Sequence, residues 1–201
     1  MTFAESRVAA HISPIGVVDP DTGRRFLNGG IRTPFTYPTM AVDTSNGPRR
    51  GTLYLVWADG RNADADIMFS HSTDGGQTWS SPVRINDDPM GNGKDQFFPW
   101  ISVDSTNGNI VVMFYDRRNN SENLIVDVYT TRSTDGGATF EPNFQVNTES
   151  FNPMNVGAVF LDPLIGDYNG LVTYGNTAYP VWTDTRQGSQ DIFGARVRFG
   201  P

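Results

Sequence analysis

The sequence predicts an all-β protein, a propeller built from four-stranded antiparallel blades. Three observations predict it. One motif returns at the same place in three successive stretches of chain. The segments around it are short, rich in β-branched and aromatic residues, and bounded by Gly, Asn, Asp or Pro. No stretch sustains a 3.6-residue apolar period, so almost no helix is expected. A sandwich of strands would not account for the recurrence.

The repeats justify the elements in order. Gly51 to Arg61, Gly108 to Arg118 and Thr177 to Arg186 are apolar runs that end in aromatic-x-Asp-x-Arg. A polar loop follows each, then Asp66-Ile67, Asp127-Val128 and Asp191-Ile192. Six residues beyond the first two of these aspartates, Ser72-Thr73-Asp74-Gly75-Gly76-Gln77-Thr78-Trp79 and Ser133-Thr134-Asp135-Gly136-Gly137-Ala138-Thr139-Phe140 match each other. A short strand follows each, Pro82 to Ile85 and Asn143 to Val146, and Pro-x-x-x-Val-Asp precedes the first two units, at Pro38 and Pro99. The first unit therefore reads as strands at 38–43, 52–58, 66–72 and 82–86. The divisions expected are an N-terminal segment 1–35, blades 36–90 and 91–148, and an incomplete blade 149–201 that lacks its fourth strand.

Composition narrows the function. The 201 residues are 37% hydrophobic, 12% aromatic and only 18% charged, which describes a folding chain. Without cysteine there is no disulfide scaffold, thiolate metal site or cysteine nucleophile. A net charge of -7 argues against nucleic acid and anionic membranes as partners. No apolar run approaches the ~20 residues of a spanning helix, so membrane insertion is not expected. The first ten residues do not read as a signal peptide. Fourteen of the fifteen basic residues are Arg, whose planar fork suits carboxylates.

Ser-x-Asp-x-Gly-x-Thr-Trp, together with the preceding Asp-x-Arg strand end, resembles the Asp-box (BNR) repeat of the sialidase (neuraminidase) superfamily, over about residues 36–198. The resemblance implies a sialidase-like β-propeller with six blades, of which this chain carries three. It implies a secreted or cell-surface location and a glycoside hydrolase acting on sialylated or related acidic glycans. The boxes, Ser72, Asp74, Gly76 and Trp79 in one blade and Ser133, Asp135, Gly137 and Phe140 in the next, are structural in such a fold. The remaining blades are expected from a longer parent chain or a homodimer partner, and residues 7–12, which read like the strand at Pro82 to Asn86, are expected to complete a blade. Two other functions are compatible with the fold, a non-catalytic glycan-binding propeller and a structural protein-interaction segment.

The resemblance also implies an arginine triad, an acid/base Asp and a Tyr–Glu nucleophile. The Arg-Ile-Pro that heads the triad is replaced here by Thr36-Tyr37-Pro38 and Phe97-Phe98-Pro99, with Arg32 four residues early. Asp64 occupies the loop where the acid/base belongs, although a solvated turn residue is the plainer reading. Arg61, Arg118 and Arg186 stand at equivalent places in three blades. Such repetition favours pins for the turn, made with Asp59, Asp116 and Asp184, over a substrate clamp. Tyr168 is the tyrosine singled out, in a segment read as unrepeated, with a core-strand role as its alternative. The four glutamates, Glu5, Glu122, Glu141 and Glu149, lie on no expected inner strand, so the catalytic set is incomplete. His11 and His71 read as packing or surface residues. No cofactor is expected. The oxygen-rich loops Asp19-Pro20-Asp21-Thr22-Gly23 and Asp64-Ala65-Asp66 leave calcium open, and a plain turn explains each.

Overall fold

The structure is a computed structural model, and it describes residues 5–32, 36–155, 165 and 169–200. Three antiparallel sheets follow one another along the chain, the blades of an all-β propeller fold. The first contains β3 (Thr39–Val42), β4 (Leu53–Asp59), β5 (Asp66–Ser72) and β6 (Val83–Arg84) in that order, after a small hairpin of β1 (Val17–Val18) and β2 (Arg25–Phe26). The second contains β7 (Gln96–Val103), β8 (Ile110–Asp116), β9 (Asp127–Ser133) and β10 (Phe144–Gln145). The third contains β11 (Gly170–Tyr174), β12 (Thr177–Asp184), β13 (Asp191–Gly194) and β14 (Val197–Arg198). The helical content described is one 3-10 turn, Asn28–Gly30.

In the third blade β13 and β14 both pair with β12, so they are one strand interrupted at Ala195–Arg196. Ala195 N–H reaches the Pro180 carbonyl and Phe199 N–H the Asn176 carbonyl across the break. No outer strand closes this sheet among the described residues. Residues 7–12 form no strand within the single chain.

Alternation builds the core. β8 is buried on both faces, whereas β4 buries the face that meets the second blade and leaves Leu53 and Leu55 half-buried on the other. Tyr54, Val56 and Ile67 of the first blade and Ile110, Val112 and Phe114 of the second are fully buried. Phe140 packs edge-to-face on Phe69, with ring centroids 5.1 Å apart. That ring thus seals the joint between two blades rather than covering only its own. The N-terminal segment adds Ile15, Leu27 and Ile31 to the same core.

The boxes are hydrogen-bonded turns. Ser72 Oγ donates to Asp74 Oδ1 and accepts from Gly76 N–H, while Asp74 Oδ1 also accepts the Thr78 N–H, 2.8–2.9 Å each. Ser133, Asp135, Gly137 and Thr139 repeat this arrangement. The doubled glycines take φ between +71° and +89°, the left-handed region that a side chain disfavours.

Candidate functional site

Two sets of loops emerge on the face opposite the boxes: those joining second to third strands, and those leading from one blade into the next. The Asp-x-Arg ends lie here. Asp59, Asp116 and Asp184 are buried at the last position of β4, β8 and β12. Each accepts the backbone N–H of the arginine two residues on and also binds its guanidinium. Trp57 and Trp182 donate their indole N–H groups to Asp59 and Asp184, at 2.9 and 3.1 Å. Arg118 additionally binds Asp87 and lies 4.3 Å over the Tyr129 ring, and Arg186 lies 4.5 Å over Phe193. Burial alone would weaken the hold of Arg118 on its proton, but Asp116 and Asp87 outweigh it and raise its pKa. All three guanidiniums are thus engaged by carboxylates of the chain itself.

Asp64 has a different environment. It is 8% exposed, not a solvated turn residue. Gly93 N–H donates to its Oδ2 at 2.8 Å, while Oδ1 is buried without a hydrogen-bond partner. Burial raises its pKa above the ordinary carboxylate value, and the negative charges of Asp66 and Asp95 add to the shift. Asp95 is fixed alongside: its Oδ1 accepts the Ala65 N–H at 3.1 Å and its Oδ2 the Asn123 side-chain amide at 2.7 Å.

Arg117 stands behind this pair. It is 1% exposed, and its Nη1 donates to the Asn28 carbonyl at 2.9 Å and lies 3.8 Å from Asp95. Burial lowers its pKa to about 10, opposed by Asp95, so it stays cationic at neutral pH. Its Nε is buried without a partner. The N-terminal segment closes over the group: Gly60 N–H bonds the Ser13 carbonyl, and Arg61 donates to the His11 carbonyl. What remains is a half-open pocket of about 290 Å³, lined by Asp64, Asp95, Asn123, Asn28, Leu27 and Phe26, among others.

A second unusual place lies at the head of the inner strands. Tyr37 and Phe98 occupy equivalent positions with φ of 45° and 50°, rare for aromatic residues. Their rings meet edge-to-face at 5.3 Å, and Asn169 donates to the Phe98 carbonyl at 3.1 Å. Register aligns Gly170 with Thr39 and Trp100. Tyr168 itself lies outside the described residues. Arg32 Nε is buried without a hydrogen-bond partner.

Asp95 and Arg117 were missed by sequence reasoning. The available signal was departure from the repeat. Arg117 fills the middle of Asp-x-Arg, where Gly60 and Thr185 stand in the other blades.

For metal ions, no cluster of three or more His, Asp or Glu is present among the described residues. Asp19 accepts the N–H groups of Asp21 and Thr22, which lower its pKa despite slight desolvation; its loop closes on itself as a turn.

Comparison with known proteins agrees with this architecture. The chain shares a propeller fold with solved glycoside hydrolases. An α-L-arabinofuranosidase from Fusarium graminearum superposes with a TM-score of 0.59 at 18% identity, covering 92% of this chain and 50% of that one. An α-L-arabinanase from Penicillium chrysogenum, solved with arabinobiose, gives 0.58 at 17% identity over 94% and 53%. A Hadza microbial sialidase gives 0.54 at 18% identity over 80% and 35%. The chain thus spans about half the length, or less, of these structures. No family model matches it, and no curated protein does.

Proposed function

We propose that this chain is a glycan-acting propeller unit of the glycoside hydrolase type, with Asp64 as the proton donor of its site. The observation that carries the reading is the buried, unpartnered Oδ1 of Asp64, on a carboxyl group whose pKa is raised, at the wall of a pocket. A carboxyl that holds its proton more tightly than an ordinary aspartate is suited to protonate a departing glycosidic oxygen, the task of the acid in glycoside hydrolysis. Asp95, with both oxygens hydrogen-bonded, positions the loop, and its negative charge adds to the upward shift of the Asp64 pKa. A glycosyl unit in the pocket would meet the Asp64 carboxyl; the Asn28 and Asn123 side chains that also line it are hydrogen-bonded to Glu122, Gly29 and Asp95.

A neutral sugar suits the site better than a sialylated one. Carboxylate recognition needs an accessible guanidinium with open valences; Arg61, Arg118 and Arg186 are paired to aspartates, and Arg117, whose Nε has no partner, is 1% exposed and does not line the pocket. An extracellular location is part of the proposal, since polymeric glycans of this kind lie outside cells.

The test is hydrolysis and binding with the full chain. Chromogenic α-L-arabinofuranosides and α-sialosides would be compared, with calorimetric titration of arabino-oligosaccharides alongside. Hydrolysis or binding of the neutral glycan, with hydrolysis abolished and binding retained in Asp64→Asn, is the expected result. Wild-type protein that neither cleaves nor binds any glycan overturns the reading, as does an Asp64→Asn variant of unchanged activity. Binding without hydrolysis, unaltered by Asp64→Asn, would identify a non-catalytic glycan-binding propeller instead.

A further inference from the structure

The loop that joins second to third strand is longer in the second blade than in the other two. Ten residues separate Asp116 from Asp127, against six between Asp59 and Asp66 and six between Asp184 and Asp191. The ends of the long loop keep the pattern of the first blade. Asn62 and Asn119 hold the same place after the arginine, and each side-chain amide donates to the aspartate that closes the turn, at 2.7 and 2.9 Å. Counting back from that aspartate, Leu124 to Val126 stand where the first blade has Ala63 to Ala65. The additional residues are therefore Asn120, Ser121, Glu122 and Asn123.

All four reach toward the surroundings of Asp64. The Asn120 and Ser121 carbonyls accept the ammonium of Lys94, the one lysine of the chain, at 2.8 and 2.7 Å. The Glu122 carbonyl accepts the Asn28 side-chain amide at 2.7 Å. Asn123 grips Asp95 at two points: its Oδ1 accepts the main-chain N–H at 3.0 Å, and its Nδ2 donates to the carboxylate Oδ2 at 2.7 Å. Asn123 does so with φ of 56°, a left-handed conformation that Asn tolerates better than most side chains.

Residues 93–95 pass the contact on. Gly93 N–H donates to Asp64 Oδ2 at 2.8 Å, and Asp95 Oδ1 accepts the N–H of Ala65, the residue after Asp64, at 3.1 Å. Ala63, on the other side of Asp64, has φ of 82°. Such a backbone persists only where its surroundings hold it. A departure from the repeat whose contacts converge on one carboxyl group is where function is expected.

We propose that this four-residue extension sets the site, with Asn123 and Lys94 as positioning residues that fix Asp95 and, through it, the turn that carries Asp64. The inference rests on Asp64 as the working group of the site. The charges that act on Asp64 are those of Asp66, in its own turn, and Asp95. The Lys94 ammonium is directed at the loop carbonyls, and Arg117 lies behind Asp95 at 3.8 Å. The pocket walls of the N-terminal segment, Pro14 to Val17 and Phe26 to Asn28, carry no titratable side chain. Among these groups Asp95 is the charge that the extension holds. Released from Asn123, its carboxylate can swing off the turn, and the repulsion that helps raise the Asp64 pKa weakens.

The test is the titration of the Asp64 carboxyl in the full chain, followed by carbon-13 NMR and assigned by the signal lost in Asp64→Asn. Asn123→Gly removes the amide and leaves a residue at ease at positive φ. Its Asp64 midpoint should fall from the wild-type value toward 3.8, and the pH above which hydrolysis fades should fall with it. Asn119→Ala disturbs the same loop through Asp127 and Tyr129, not Asp95, and should leave the midpoint in place. An unchanged midpoint in Asn123→Gly, or an equal fall in Asn119→Ala, overturns the proposal. Hydrogen exchange of the wild type needs no variant to fold: the Asp95 amide should exchange far more slowly than in a free peptide, and exchange at the free-peptide rate overturns the clamp. Lys94→Met should speed that exchange, and an unaltered rate removes Lys94 from the device. The titration reads Asp64 whether or not the chain cleaves a glycan. A midpoint that falls in a chain without hydrolysis upholds the positioning and counts against the proton donor alone. Hydrolysis that Asp64→Asn abolishes, with an unmoved midpoint in Asn123→Gly, does the reverse.

Discussion

The ring of Phe69 in the first blade lies directly on the backbone of Gly137 in the second: a methyl group at Gly137 would stand 2.3 Å from Phe69 Cζ. The box turn of one blade is thus the seat for a core ring of the blade before it. Gly76 holds the equivalent place in the first box with a similar φ, +86° against +89°, yet the nearest atom to a methyl there is Leu53 Cδ1 at 3.6 Å. The two glycines share a backbone requirement and differ in packing.

The comparison Gly137→Ala against Gly76→Ala isolates that packing. Both carry the penalty of a side chain at positive φ. Only the first also forces a ring and a turn apart, a cost of about 1–3 kcal/mol. Urea unfolding should show Gly137→Ala less stable than Gly76→Ala by about that margin. Equal losses would mean that Phe69 moves aside freely.

The box carboxylates predict an acid limb. For Asp135, burial favours the neutral form, but hydrogen bonds from Thr139 and Ser133 outweigh it and bring the pKa down to about 2, against 3.8 in an unfolded chain. A depressed carboxylate contributes stability that is present above the unfolded value and is lost as pH falls through the folded one. Asp135→Asn should therefore cost stability at pH 6 and progressively less between pH 3.8 and about 2. Its exposure keeps the effect small. Denaturant midpoints of both proteins across that range check it, and a constant gap between them would remove the ionic contribution.

How much of this was legible in the sequence depends on whether the contact was local to a repeat. The strands were, because Asp59 and Asp66 fall at the two ends of one turn, and the same pair of aspartates recurs at Asp184/Asp191 with the same spacing and at Asp116/Asp127 across a longer loop. The box turns were, because their hydrogen bonds span four residues or fewer. The environment of Asp64 was not. It is made by Gly93, Asp95 and the N-terminal residues Pro14 to Val17, which come together only through the fold. The interruption after Gly194 was equally hidden, since Asp191 to Arg198 reads as one strand in composition.

The arginines of the three turns should separate by burial. Asp116 and Asp59 are both fully buried, but Arg118 is 15% exposed against 33% for Arg61, and Asp59 keeps the Trp57 indole N–H as a further donor when its arginine is removed. Removing one partner of a buried pair leaves an uncompensated charge, at about 3–5 kcal/mol, whereas a part-exposed pair costs much less. Arg118→Ala should lower the melting temperature far more than Arg61→Ala. If both variants fold like the wild type and lose glycan affinity alike, the arginines bind ligand instead.

Asp64 yields the prediction that ties stability to function. Its pKa is raised by burial, reinforced by Asp66 and Asp95, so ionising it costs more in the folded chain than in the unfolded one. The sign is opposite to that of Asp135. Above the unfolded value of 3.8 the folded chain holds on to a proton that the unfolded chain has released, and stability falls as pH rises toward the folded pKa. Asparagine in this place keeps an oxygen to accept the Gly93 N–H and carries no charge to bury. Asp64→Asn should therefore melt higher than the wild type at pH 7, with the gap closing below pH 3.8, where both side chains are neutral. A residue kept at a cost to stability and placed on a pocket wall is the pattern expected of a site that trades rigidity for chemistry. Calorimetric melts of the two proteins at pH 3 and pH 7 decide it. A variant less stable at pH 7 would show that the carboxylate is held for structure, and the role of proton donor would have to pass to another group.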